Sequence, residues 1–257
     1  MPTEYSDNRF QEIRNGIIRI GQLLANAFSA YRSWYDKNAA TIEQYAHAFA
    51  ELGVWYAAVD NLAKCQIVFT GDISSEMAQK LSQIDDVDTI VKQYYFDGEP
   101  PRIEEVIVRC KQSTQLMPYS KLLSEVFSAY SVEHFHLACI GLFSIVDGVL
   151  SDFTQISGTH YRKRITAIEE KMDNQLALDD MDKKTLCIHK TISSFEDSIF
   201  KDNYSFVNEP DELNRHWVMH GRSRRTYTKF DCLKILLWLD AIVFLSEKIE
   251  GKEVSNT

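Results

Sequence analysis

The chain is short of the residues that interrupt helices. Its 257 residues include only 10 glycines and 5 prolines, the two residues that a helix interior tolerates least. No glycine-rich phosphate loop occurs, and no strand pattern runs beyond a few residues, which removes the usual sequence basis for a nucleotide-binding α/β fold. Cysteine is sparse and scattered: Cys65, Cys110, Cys139, Cys187 and Cys232 are odd in number and lie in helical, apolar-patterned stretches. That excludes a disulfide framework and implies reduced, buried thiols. Long apolar runs are missing too. The longest, residues 235–245, is interrupted by Asp240 and is too short to span a bilayer. Residues 1–8 are polar, so no secretory leader is expected. These features together read as a soluble, cytoplasmic protein without a membrane partner. Basic charge is in deficit, with a net charge of −9. The molecule as a whole is therefore no general nucleic-acid binder, and any RNA contact must come from a local basic patch.

What is present is helical periodicity almost throughout, which predicts an all-α fold. A hydrophobic content of 45% and a charged content of 25% are ordinary for a globular chain with a substantial core. Apolar residues at Ile13, Ile17, Ile20, Leu24, Ala27 and Phe28 predict a helix over residues 10–35. Thr41 reads as the N-cap of a second helix reaching about residue 69. A short helix is expected from Ser74 or Ser75, and another from Val87. Gly98-Glu99-Pro100-Pro101 is the clearest punctuation, because paired prolines stop any helix before them. It is taken as the boundary between an N-terminal helical region, residues 1–99, and a C-terminal bundle, residues 102–251. Residues 102–115 form a helix, and Pro118 marks the next break.

Residues 132–153 are apolar on most sides, so this helix is central. Asp147 within it is either solvent-facing or the buried partner of a cation. Two amphipathic helices follow at 162–172 and 182–200, then an irregular stretch at 201–210. Pro210-Asp211-Glu212 looks like a first helical turn, with proline near N1 and acids at the positive end of the dipole. Thr228 is the expected N-cap of a final helix over residues 229–248. No internal repeat is evident.

The chemically richest segment is Leu213-Asn214-Arg215-His216-Trp217-Val218-Met219-His220-Gly221-Arg222. Four residues separate Arg215 from His220. An imidazole can move protons near neutral pH, and a guanidinium can hold a phosphate through two parallel hydrogen bonds. Four cations, Arg222, Arg224, Arg225 and Lys229, lie within the next stretch. They can hold a phosphate backbone electrostatically, or they can form a solvated basic loop. A plainer reading is helix capping, with Gly221 as a C′ glycine and the basic residues facing the negative end of the dipole. His216 and His220 share one helix face and could hold zinc. No glutamate follows the first histidine and no further ligand stands nearby, so no metal and no cofactor are expected.

These residues resemble the motif of the HEPN domain, a small helical bundle. The motif is an arginine, a polar residue, three further residues and a histidine. Residues 215–220 fit it, with His216 as the polar residue. Asn214 before it, Gly221 after it and the long hydrophobic helix beyond a short loop agree with that setting. The resemblance covers about residues 120–249. It implies a metal-independent endoribonuclease of the toxin or phage-defence type. Attack by an RNA 2′-hydroxyl on the adjacent phosphate would leave a 2′,3′-cyclic phosphate. In that reading His220 is general base or acid, Arg215 stabilises the transition state, and His216 and Asn214 position phosphate or assist proton transfer. Arg222, Arg224, Arg225 and Lys229 bind RNA. The implied assembly is a homodimer joined at the motif helices, with an antitoxin or regulatory protein as a further partner. The alternative is a non-catalytic, HEPN-like adaptor that binds nucleotides or proteins.

Overall fold

The scarcity of helix breakers translates directly into helix length. In the computed structural model about 80% of the described residues are helical, and no strand occurs among them. The structure describes residues 4–156, 161–175, 183–199 and 206–255. The first helix, α1, runs unbroken over Glu4–Lys64, 61 residues. The two helices expected over 10–35 and 42–69 are therefore one. The segment Asp36-Lys37-Asn38-Ala39-Ala40-Thr41 has no glycine or proline, and Thr41 is an interior residue rather than a cap. The Asn38 amide even turns back onto the helix, donating to the Trp34 carbonyl at 2.7 Å. The helix ends soon after Lys64, where Gln66 adopts a left-handed φ of 55°.

Contacts divide the chain into two units, Met1–Glu51 and Leu52–Thr257. Among the described residues the first is α1 alone. The second contains the last turns of α1, then α2 (Ser75–Gln83), α3 (Val87–Phe96), α4 (Arg102–Gln112), a 3₁₀ turn (Thr114–Tyr119), α5 (Ser120–Ser131), α6 (Phe135–Thr154), α7 (Tyr161–Gln175), α8 (Lys183–Ile199), α9 (Arg215–Met219) and α10 (Lys229–Ser255). Ser74 caps α2, its hydroxyl accepting from the Met77 amide at 3.2 Å. Gly98 to Pro101 joins α3 to α4 without helix, and Pro118 lies in the 3₁₀ turn. Of the expected helix over 182–200, both end residues fall outside the described residues, as do residues 201–205 of the irregular stretch.

At the centre is α6, packed against α5, α7, α9 and α10. Its buried residues include Leu142, Phe143, Ile145, Val146 and Leu150. It is long and apolar enough to cross a membrane by length and composition, but most of it is buried inside this protein. Two glycines seven residues apart let neighbours come close. A Cβ on Gly141 would stand 2.2 Å from Val126 Cγ2 of α5, and one on Gly148 would stand 2.4 Å from the Tyr119 ring. Opposite, Cys139 of α6 and Cys232 of α10 meet as free thiols at 3.6 Å. Asp240, which interrupts the apolar run of α10, accepts from Arg109 of α4 at 3.1 and 2.9 Å. The same guanidinium reaches Asp72 at 2.6 Å. A charge placed inside a core helix is thus compensated by a pair of bonds from one arginine.

Candidate functional site

Asn214 decides where the motif helix begins. Its backbone is extended, and its Oδ1 accepts from the amides of His216 at 3.0 Å and Trp217 at 3.3 Å. This is an N-cap, so α9 starts at Arg215 and not at the Pro210 turn expected from the sequence. The other end is equally local. His220 is the C-cap, and Gly221 follows at a φ of 62°. The amides of Gly221 and Arg222 return to the carbonyls of Val218 at 3.1 Å and Trp217 at 3.0 Å. Gly221 is therefore the C′ glycine of a closed helix end. The whole motif occupies five helical residues and its two caps.

The turn is anchored from two sides. Trp217 and Val218 are buried, and α9 packs on α6. Just before it, Leu213 exchanges two hydrogen bonds with the Gln66 side chain. The Leu213 amide donates to Oε1 at 2.9 Å, and Gln66 Nε2 donates to the Leu213 carbonyl at 3.0 Å. A primary amide is the side chain that can satisfy both backbone groups at once.

Arg215 does not project into solvent. Its guanidinium donates to Asp147 Oδ2 of α6, through Nε at 3.1 Å and also through Nη2. Only 11% of the Arg215 side chain and 23% of the Asp147 side chain remain exposed. Asp147 is thus the buried partner of a cation. Burial pushes its carboxyl above the usual carboxylate range, against the pull of Arg215 and of Arg164 and His216 nearby. Arg164 of α7 is itself buried, and it donates to the Asp147 carbonyl at 3.4 Å and the Ile156 carbonyl at 3.2 Å.

The two histidines face outward to different degrees. His216 is half-buried and His220 exposed. Their rings lie parallel, 6.1 Å between centroids and 4° between planes. This is the stacking that an i, i+4 pair gives across one helical turn. The Phe206 ring stands edge-on to His220 at 5.8 Å and to Trp217 at 5.3 Å. The Arg222 guanidinium lies 4.7 Å over the same Phe206 ring. Beside these groups opens a cleft of about 620 Å³, lined by residues 206–209, Trp217 and residues 221–224.

The cleft contains an anion of its own. The Glu209 carboxylate accepts from the Arg224 amide at 2.9 Å, the Arg225 amide at 3.5 Å and the Ser223 hydroxyl. The Ser223 oxygen in turn accepts from Tyr227 at 2.7 Å. Desolvation acts against the charged form, yet the Ser223 hydroxyl and the two amides hold Glu209 below the usual carboxylate range. Successive amides converging on one carboxylate form an anion seat.

The expected RNA-binding cations divide into two groups. Arg222 and Arg224 are exposed and line the cleft. Arg225 instead bonds Asp231, the residue that accepts from the Thr228 amide at 2.8 Å at the start of α10, and the Asp211 carbonyl at 2.8 Å. Lys229 lies 4.3 Å over the Phe96 ring. Of the four residues expected to be catalytic, His216 and His220 stay near the cleft. Asn214 serves the helix start, and Arg215 is committed to Asp147. Sequence reasoning missed Arg164, Phe206 and Glu209. Arg164 reads as a solvent position on an amphipathic helix, and Glu209 falls in the irregular polar stretch before the Pro210 turn. Phe206 gives no signal at all.

Among the described residues no three of His, Cys, Asp and Glu converge to hold a metal ion. Compared with protein-family models, curated proteins and solved structures, the chain matches none.

Proposed function

We propose that the cleft beside α9 binds RNA and that the chain is a metal-independent endoribonuclease of the HEPN type. The observation that carries this reading is the exposed His220 imidazole, stacked parallel to His216 and linked through Phe206 to the Arg222 guanidinium. An imidazole within reach of a held phosphate can take the proton of an RNA 2′-hydroxyl, or return one to the departing 5′-oxygen. Arg222 and Arg224 supply the positive field that holds the backbone, and Phe206 offers a face on which a base can stack. Arg215 acts through the fold: pinned to Asp147, it fixes α9 and so the direction of both histidines. Assembly of two chains at α9 would double the imidazoles around one cleft, and an antitoxin or regulatory protein remains part of the proposal.

One observation favours a second reading, a binding module that does not cut. Arg215 and Asn214, two of the four motif side chains, spend their hydrogen bonds on the fold itself. The test is incubation of the protein with single-stranded RNA in chelator, with analysis of the product ends. Cleavage leaving 2′,3′-cyclic phosphate, reduced about a hundredfold or more by His220→Ala, supports the nuclease. RNA retained without cleavage, and released by Arg222→Gln/Arg224→Gln, supports the binding module. No binding and no cleavage overturns both.

A further inference from the structure

The first unit carries a surface that the cleft chemistry does not use. Along α1, Ile20, Leu24, Phe28, Tyr31, Trp34 and Phe49 are all exposed, with Leu24 at 66% and Phe49 at 72%. A helix of 61 residues draws its stability from packing an apolar face, since propensity alone leaves helices marginal. We propose that this face, between Ile20 and Leu52, docks on the same face of a second copy of this chain.

Periodicity is the first argument. Leu24, Tyr31, Asn38, Tyr45, Leu52 and Val59 recur every seven residues. The residue four before each is apolar except Thr41, and the residues four after Leu24, Tyr31, Asn38 and Tyr45 are Phe28, Tyr35, Ile42 and Phe49. Such a heptad repeat keeps one stripe facing a partner helix over its whole length. The added third row widens it beyond a two-stranded seam, as in helices that face a bundle core. The repeat's last members, Trp55 at 3% and Val59 at 0% exposure, are buried in the protein's own core. The earlier members have the same character without such a cover among the described residues.

Area and charge choose the occupant. Six aromatic residues, Phe28, Tyr31, Trp34, Tyr35, Tyr45 and Phe49, are exposed on this stretch. At their partial exposures they offer roughly 700 Å² from the aromatic rings alone, against about 800 Å² per partner in a standard interface. That exceeds the largest apolar patch on an ordinary monomer. No residue of the three rows between Ile20 and Leu52 is charged. The whole stretch carries Arg32 and Lys37 against Asp36, Glu43 and Glu51, a net of −1. It thus lacks the basic flank by which an amphipathic helix holds an anionic lipid surface. Asn38 and Thr41 make one polar layer in the middle of the seam. One N–H of the Asn38 carboxamide bonds the Trp34 carbonyl of its own helix, which leaves a second N–H and the oxygen, and pairing two copies in register sets Asn38 against Asn38 so that these meet. A partner lacking that layer would bury the Asn38 oxygen without a donor.

The test uses the full chain in light scattering over a dilution series, with circular dichroism as the check on folding. Wild type is expected at twice the mass of one chain or more, and Leu24→Glu/Trp34→Glu at half the wild-type mass, with any fall in helicity no larger than the unpacked part of α1 accounts for. Asn38→Ile, which replaces the polar layer by an apolar one, is expected to tighten association at least tenfold, because the asparagine trades stability for register. This variant decides the matter if the glutamate pair fails to fold. A wild-type monomer at tens of micromolar, an unchanged mass for the glutamate pair, or no tightening by Asn38→Ile overturns the proposal. So does a monomer that floats with phosphatidylserine-containing vesicles, which would assign the face to a membrane. His220→Ala should leave the mass unchanged, so this proposal and the nuclease reading fail separately.

Discussion

Arg215 and Asp147 are 68 residues apart in sequence, yet the guanidinium of one sits on the carboxylate of the other, between α9 and α6. The pair joins the motif turn to the central helix. Removing one member leaves the other's charge half-buried and uncompensated, which costs far more than the pair itself contributes. Arg215→Met should therefore lower stability by about 3 kcal/mol at neutral pH, the lower end for a broken buried pair. Adding Asp147→Asn should recover much of that loss, because no charge is then stranded. The sign with pH follows from the raised Asp147 carboxyl. The folded state holds the proton more tightly than the unfolded chain does. Its contribution to stability is thus complete below the unfolded carboxylate range and is lost as pH rises through the higher folded value. Without Arg215 that window moves further up, so Arg215→Met should lie closer to wild type in mild acid than at neutral pH. Urea melts of the two single variants and the double variant at both pH values check this.

His220→Ala should behave in the opposite way. The side chain is exposed and caps the helix with its backbone amide, which donates to the His216 carbonyl at 3.1 Å. Truncation at such a position changes stability by under roughly 0.5 kcal/mol. A thermal melt close to wild type, beside a large loss of RNA cleavage, is the expected combination. A melt lowered as far as that of Arg215→Met would make His220 a packing residue.

These two residues show what could be read from the sequence. The helical class, the central apolar helix and the closing glycine at 221 were legible, because periodicity and capping are local properties. The single long α1 was not, since the polar stretch at residues 36–41 reads as a break although it holds neither glycine nor proline. The motif's spacing was legible, but its chemistry was not. Whether an arginine faces solvent or a carboxylate depends on a residue on another helix, and Asp147 in isolation reads equally well as either. Arg225 follows the same rule: within the basic loop it looks like an RNA contact, and only the fold brings it to Asp231.

Gly141 and Gly148 sit on α6 where a side chain has no room. An added methyl at Gly148 would meet the Tyr119 ring, whose hydroxyl is held by Asp152 at 2.6 Å. A ring fixed at both ends cannot swing aside cheaply. Gly148→Ala should cost about 1–3 kcal/mol through overpacking, despite alanine's better helix propensity. Chemical denaturation measures it, and a neutral or stabilising result would mean that the 3₁₀ turn moves freely.

Glu209 organises the basic loop by occupying its amides. Its carboxyl is held below the usual range, so the ordering it gives is present above the unfolded carboxylate range and is lost as pH falls through the folded value. Glu209→Gln should open the loop at neutral pH, with faster hydrogen exchange at the Arg224 and Arg225 amides. The wild-type protein should show the same change in acid. Equal exchange in wild type and variant at neutral pH would remove Glu209 from this role.

The cations of the loop should separate by salt. Arg222 and Arg224 line the cleft and are exposed, so each is free to neutralise a phosphate and release a counterion. For single strands the slope of log affinity against log salt changes by about 0.7 per phosphate contact. Arg222→Gln/Arg224→Gln should flatten that slope by about 1.4 units in all, weaken every RNA sequence alike and leave the melt unchanged. Arg225→Gln should do the reverse. Its guanidinium bonds Asp231, of which only 9% is exposed, while 24% of Arg225 is. Losing it strands a carboxylate at the start of α10 and should cost about 2 kcal/mol, less than for a wholly buried pair, with the salt slope intact. Fluorescence anisotropy across a salt series, paired with melts, reads both quantities. If Arg225→Gln flattens the slope as much as the Arg222/Arg224 pair does, RNA reaches Arg225 in spite of Asp231, and the division of the loop into binding and structural cations is wrong.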